Sequence, residues 1–138
     1  MSAIVHELMK FEGVTFQAEE YLNYKGRKFY WDMTVTTKQG GVFRVESDGR
    51  QHFSAQAMAS IMRKTDIDIG NVYFTAQRER DLMKEEYIKS HGFLLFRVSY
   101  RQLKMMDILV KEMMAQSDRG VQDVVYLDTL YDDWGPVS

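Results

Sequence analysis

The segment Val42-Phe43-Arg44-Val45-Glu46-Ser47-Asp48-Gly49 carries two carboxylates, one residue apart, inside an apolar run. Side chains alternate across a strand, so Arg44, Glu46 and Asp48 share one face of it. The preceding segment, Lys28 to Thr37, reads the same way. Tyr30, Asp32, Thr34 and Thr36 lie on one face, and Phe29, Trp31, Met33 and Val35 form an apolar face that packs on the core. A neighbouring strand then sets Asp32 beside Glu46. Converging carboxylates repel one another unless a cation or a proton sits between them. Mg²⁺ is the natural occupant, a hard ion that takes oxygen ligands and keeps waters for chemistry, with Mn²⁺ as a substitute. Asp32, Glu46 and Asp48 are the expected ligands. A plainer reading stays open, because Asp48-Gly49 is also a common turn dipeptide and Glu46 can simply face solvent.

His52 follows Asp48 by four residues. Its ordinary pKa near neutrality suits a general base or a general acid. Asp81 can orient that imidazole or hold a water in a metal shell. It can equally pair with its neighbours Lys84 and Glu85 along a helix face. A divalent ion that acidifies a water and offsets charge on phosphorus, with an imidazole beside it, is a set suited to phosphodiester hydrolysis. Arg97, alternating with Leu95, is a candidate phosphate clamp. Arg50, Gln51, Arg78 and Lys84 join it as expected nucleic-acid contacts. So do Lys25, Arg27 and Lys28, which with Tyr21 and Tyr24 make a basic, aromatic turn. His6 and His91 have no such context and read as structural.

Position along the chain assigns these residues to elements. Ile4, Val5, Leu8, Met9 and Phe11 have helical spacing ended by Gly13. Val14 to Leu22, the turn Asn23-Tyr24-Lys25-Gly26 and Lys28 to Thr37 read as a hairpin. The turn Lys38-Gln39-Gly40-Gly41 leads to the strand Val42 to Asp48, completing an antiparallel meander. Residues 55–62 look helical, and 64–71 read as a loop. Thr75 is the expected cap of a helix over 76–90, stopped by Gly92. Phe93 to Val98 is an apolar, central strand. A last helix covers 101–116, with Leu103, Met106, Leu109, Val110 and Met113 on one stripe. The order α-β-β-β-α-α-β-α implies an α/β fold in which three antiparallel strands and one crossover-connected strand form a mixed sheet flanked by helices. Residues 1–116 are the expected domain, and 117–138 an acidic, aromatic tail that packs on it or on a partner.

At 138 residues the chain fits one domain with a real core. Its formal net charge of -2 argues against a protein that coats DNA by bulk charge, whereas an enzyme whose ions offset its carboxylates is less constrained. The absence of cysteine excludes zinc ribbons, disulfide frameworks and thiol nucleophiles. The ten methionines need no cofactor and read as adaptable core residues. No apolar run approaches the roughly 18 residues that span a bilayer, and the opening residues do not read as a secretory leader. A cytoplasmic protein without a membrane partner is expected.

Two segments taken together carry a resemblance. One is Glu46-Ser47-Asp48-Gly49-Arg50-Gln51-His52-Phe53. The other runs Arg78-Glu79-Arg80-Asp81-Leu82-Met83-Lys84 and continues through His91-Gly92-Phe93-Leu94-Leu95-Phe96-Arg97-Val98. They resemble the very-short-patch-repair-like nucleases of the PD-(D/E)xK superfamily, including the homing-type endonucleases whose motif is abbreviated EDxHD, over roughly residues 28 to 100. The resemblance implies a restriction-endonuclease-like fold and Mg²⁺-dependent cleavage or nicking of DNA in the cytoplasm, that of the host if the chain is phage-encoded. Asp32 matches the metal-binding aspartate of the second strand, and Glu46 the next acidic ligand with Asp48 beside it. His52 matches the motif histidine and Asp81 the helix aspartate. Glu7 is the best match to the first glutamate, with Glu12, Glu19 and Glu20 nearby. The chain departs from the superfamily pattern where Asp48 stands in place of a lysine and Trp31 in place of a proline. The homing-type branch also lacks that lysine, so the departure leaves the base open. A domain of this size would act as a homodimer or with a partner protein that supplies specificity. The same residues also suit a structure-selective nuclease of mismatched or branched DNA, an RNA-directed one, or an inactive nucleic-acid-binding relative.

Overall fold

Strand β1 (Thr15–Tyr24) turns into β2 (Arg27–Thr36) through Lys25 and Gly26 alone, whose φ angles are 52° and 75°. A two-residue turn with both central φ positive matches the right-handed twist of the flanking strands. A second turn leads to β3 (Val42–Asp48), which pairs antiparallel with β2. Strand β4 (Leu95–Ser99) then lies parallel to β3, and β5 (Val124–Tyr126) parallel to β4. The result is a mixed five-stranded sheet in the order β1-β2-β3-β4-β5. This architecture comes from a computed structural model that describes residues 2–61 and 67–134.

Helices cover both faces. On one face, α1 (Ser2–Leu8) and α4 (Met106–Asp118) bury Ile4, Leu8, Met106, Val110 and Met113 against Met33, Val35, Phe43, Val45, Phe96 and Val98. On the other face lies the long α3 (Ile67–His91), whose Ile88 packs with Leu22, Phe29, Trp31, Leu95 and Val124. The short α2 (Ala55–Ile61) rests on α3 where Gly70 faces Ala55 and Ala59. All five residues of β4 are buried, as befits an interior strand covered on both faces. Among the described residues, no helix is long and apolar enough to cross a membrane.

Several expectations are corrected. The sheet has five strands where four were expected. The fifth comes from residues 124–126, a piece too short for its side-chain alternation to show in the sequence. Of the loop expected over 64–71, residues 64–66 lie outside the described residues and 67–71 are helical. Thr75 therefore lies inside α3 and caps nothing; no proline interrupts this stretch, and Gly70 is retained where the two helices touch. Residues 100–105 form a 3₁₀ segment ahead of α4, which rotates Leu103 off the helical stripe and leaves it exposed.

Phe29, Trp31, Met33 and Val35 do not share one apolar face. Phe29 and Trp31 join the α3 side, whereas Met33 and Val35 join the α1/α4 side. The alternation slips at Asp32, opposite Glu19, whose φ is 55°. The β1–β2 register has no bridge at that pair, and the β2–β3 ladder stops at Met33↔Val45. Beyond that point the bridges end, and Asp32 and Glu46 lie there.

Candidate active site

Strand β3 presents Arg44, Glu46 and Asp48 toward α3, as alternation requires, while Val45 and Phe43 enter the opposite core. Asp32 arrives from β2 where the ladder ends. Its Oδ2 accepts the backbone N–H of Ser47 at 2.8 Å. Its carboxylate is also near enough to Glu46 to raise that residue's pKa. Glu46 is buried, and Lys84 of α3 donates to its Oε1 at 2.5 Å and to the Tyr30 carbonyl at 2.7 Å. Burial pushes the Glu46 carboxyl up to about 8, and Asp32 adds to this while Lys84 opposes it.

A second group forms one step further along β3. Asp48, His52 and Asp81 bring ligand-type atoms within 4.8 Å of one another. His52 Nδ1 is 2.9 Å from Asp81 Oδ2 and 3.6 Å from Asp48 Oδ1. Gln77, one helical turn before Asp81, donates to its other oxygen at 3.2 Å. Burial works against the charged imidazole, but the hydrogen bond to Asp81 and the charges of Asp48 and Asp81 outweigh it and hold His52 above its ordinary pKa. Asp81 is held below its ordinary value because His52 and Arg97 outweigh the opposing effect of burial.

Arg97 is the fixed cation of this group. It is completely buried, donating from Nε to Glu85 at 2.7 Å and from one terminal nitrogen to Asp48 at 3.0 Å and 3.2 Å. Its other terminal nitrogen donates to the Asp81 carbonyl at 3.3 Å. Burial opposes the charge of the guanidinium, but Asp48, Asp81 and Glu85 hold it firmly protonated. Tyr131 closes the arrangement by donating to Asp48 Oδ2 at 2.8 Å, and Tyr126 donates to Glu85. Arg97 and Tyr131 both bond the Asp48 carboxylate, which lies with His52 and Asp81. A trio already offset by a guanidinium suits the orientation of an imidazole better than the holding of a second cation.

The expected phosphate contacts divide. Arg97 is sequestered among carboxylates and cannot clamp a ligand outside the fold. Arg78 is buried as well, its guanidinium 4.1 Å from the Trp134 ring centroid. Lys84 is engaged by Glu46 and the Tyr30 carbonyl. Arg50, Lys25, Arg27 and Lys28 remain exposed and Gln51 half-buried. Arg50 lies 4.9 Å from the Tyr100 ring centroid, and Lys25 pairs with Glu86. Glu7 does not join the group. It sits on α1, across the sheet from α3, paired with Lys10 at 3.0 Å and bordering a groove with Lys104 and Asp107. His91 packs on the Tyr87 ring, consistent with a structural role.

The helix-face pairing considered for Asp81, Lys84 and Glu85 is not what forms. Each reaches across to a different partner: His52, Glu46 and Arg97. The signal for this was present in their spacing, because Gln77, Asp81, Lys84, Glu85 and Ile88 lie on the one stripe that faces the sheet. Tyr126, Tyr131 and Trp134 carried no such signal, being brought in by a segment remote from β3 in sequence. No family model matches this chain, and no curated protein or solved structure matches it.

Proposed function

We propose that this protein is a divalent-cation-dependent nuclease that hydrolyses phosphodiester bonds in DNA, on a restriction-endonuclease-like fold. The observation that carries the reading is the meeting of two groups along one strand. Asp32 bears on Glu46 where the β2–β3 ladder ends, and one step further along β3 Asp48 meets His52, which Asp81 orients. The element order, a meander followed by a helical crossover into β4 parallel to β3, supports the fold assignment.

The residues fit a hard divalent ion. Glu46 and Asp32 offer oxygen donors, and the upward shift of Glu46 by burial beside a second carboxylate is the strain that a cation relieves. Mg²⁺ or Mn²⁺ bound there would supply a more acidic water and positive charge against the phosphate. The chain's own part is to hold these two carboxylates and to present a proton. His52 keeps its Nδ1 on Asp81, which leaves Nε2 as the nitrogen for chemistry. Its raised pKa suits it to protonate the departing oxygen. Arg50, Gln51, Lys25, Arg27 and Lys28 are left to contact the nucleic acid backbone.

Nicking of supercoiled plasmid in Mg²⁺, Mn²⁺ or EDTA tests the reading. The wild type nicks with either ion and stops in EDTA, and Glu46→Gln and His52→Ala lose the activity. Equal nicking by wild type and Glu46→Gln would overturn it.

A further inference from the structure

Two cations, Arg97 of β4 and Lys84 of α3, pair with the carboxylates between the sheet and α3, and they are held differently. Arg97 is enclosed completely and bound by Asp48, Asp81 and Glu85 at once. Lys84 keeps 14% of its side-chain surface, and its ammonium rests on one carboxylate, that of Glu46. Its second acceptor is the Tyr30 carbonyl, two residues ahead of Asp32 on β2. The Trp31 ring, 5.3 Å from Nζ, supports it from below. An ammonium on a flexible stem is a point charge that can move, whereas a guanidinium locked by several oxygens cannot.

We propose that Lys84 is an internal counter-cation of the Asp32–Glu46 pair, which a divalent ion must displace in order to bind there. The inference rests on the divalent-ion reading of that pair. At 2.5 Å the ammonium occupies Glu46 Oε1, one of the oxygens that a hard ion would take. Two cations cannot share that position without strong repulsion. The contact keeps the carboxylates together in the metal-free chain and lowers the affinity for the ion that replaces it, since the ion must break two hydrogen bonds of Lys84 first. Arg97 makes no such competition, because its partners belong to the His52 group.

Calorimetric titration of the full chain with Mn²⁺ alone tests the proposal, using wild type, Lys84→Met, Lys84→Gln and Glu46→Gln. Removing the ammonium is expected to tighten Mn²⁺ binding by roughly tenfold or more, while lowering the melting temperature measured in EDTA. Lys84→Gln keeps hydrogen-bond donors without the charge and shifts affinity in the same direction, so the test stands if Lys84→Met folds poorly. Glu46→Gln abolishes binding. Unchanged or weaker Mn²⁺ affinity in both Lys84 variants, with binding retained by wild type, overturns the competition and leaves the nuclease reading standing. Absence of Mn²⁺ binding in every variant overturns both.

Discussion

The Asp32 carboxylate takes the place of a strand partner for Ser47, accepting its backbone N–H at 2.8 Å just beyond the last β2–β3 bridge. That bond explains how an acidic side chain can be held at the end of a ladder without unravelling the sheet. A part-buried N–H left without an acceptor costs about 1–3 kcal/mol. Asp32→Ala should therefore lose about that much stability in urea denaturation, whereas Asp32→Asn, which keeps a carbonyl oxygen for Ser47, should lose less than about 1 kcal/mol. Equal losses in the two variants would show that the Ser47 bond carries no weight.

Glu46 gives the protein a pH dependence of predictable sign. Its folded pKa is raised to about 8 from the ordinary carboxylate range, chiefly by burial. The folded state thus holds the proton more tightly than the unfolded chain. The corresponding stability is full below about pH 4.5 and is lost as pH rises to about 8. Glutamine in its place cannot titrate. In EDTA, the stability of Glu46→Gln relative to wild type should rise between pH 5 and pH 9, by an amount on the order of a few kcal/mol. A difference that stays flat across this range, in melting or urea experiments, would contradict the burial account.

The parts of this arrangement that a sequence displays are those governed by short periodicities. Alternation in Val42–Asp48 was enough to place Arg44, Glu46 and Asp48 on one face, and the run Asn23-Tyr24-Lys25-Gly26 was enough to place a hairpin turn, although Asn23 and Tyr24 belong to β1 and only Lys25 and Gly26 make the turn. Asp32 was expected beside Glu46 and is found there, although for a different reason. The alternation that argued for it slips at that residue, so Trp31 and Met33 enter opposite cores. The inward face of α3 was obscured because its stripe is acidic and basic where an apolar one would have been recognisable. Tyr131 escaped altogether: its hydroxyl meets Asp48 across 83 positions of sequence, through a strand of three residues. Local patterns cannot encode contacts of that range; they emerge only once β5 has joined the sheet.

Gly70 marks a place where helix propensity and packing disagree. Replacing glycine by alanine inside a helix ordinarily gains about 1 kcal/mol. Here an added Cβ would lie 2.6 Å from the Ala55 carbonyl oxygen and 2.8 Å from the Ala59 Cβ, both on α2. The first of these is backbone and cannot swing aside. Gly70→Ala should therefore destabilise the fold, by about 1–3 kcal/mol for an overpacked contact. A gain in stability would mean that α2 shifts freely on α3.

The His52–Asp81 pair offers a test that separates proton chemistry from folding. Burial alone would lower the pKa of His52, and the Asp81 hydrogen bond with the charges of Asp48 and Asp81 reverses this. Asp81→Asn retains an oxygen to accept from Nδ1 but removes a carboxylate charge, so burial regains influence and the histidine pKa falls. If His52 acts as the imidazolium, the alkaline limb of the nicking-rate profile must move to lower pH in Asp81→Asn, with the rate at acidic pH much less affected. A histidine acting as the neutral base gives the reverse, an acid limb moving to lower pH. The two outcomes have opposite effects on activity at high pH relative to low pH, and neither arises from a uniform loss of folded enzyme. Recording melting temperatures across the same pH range removes the contribution of unfolding. A profile scaled down at every pH without a shift in either limb would remove His52 from the proton transfer and leave Asp81 with a purely structural part.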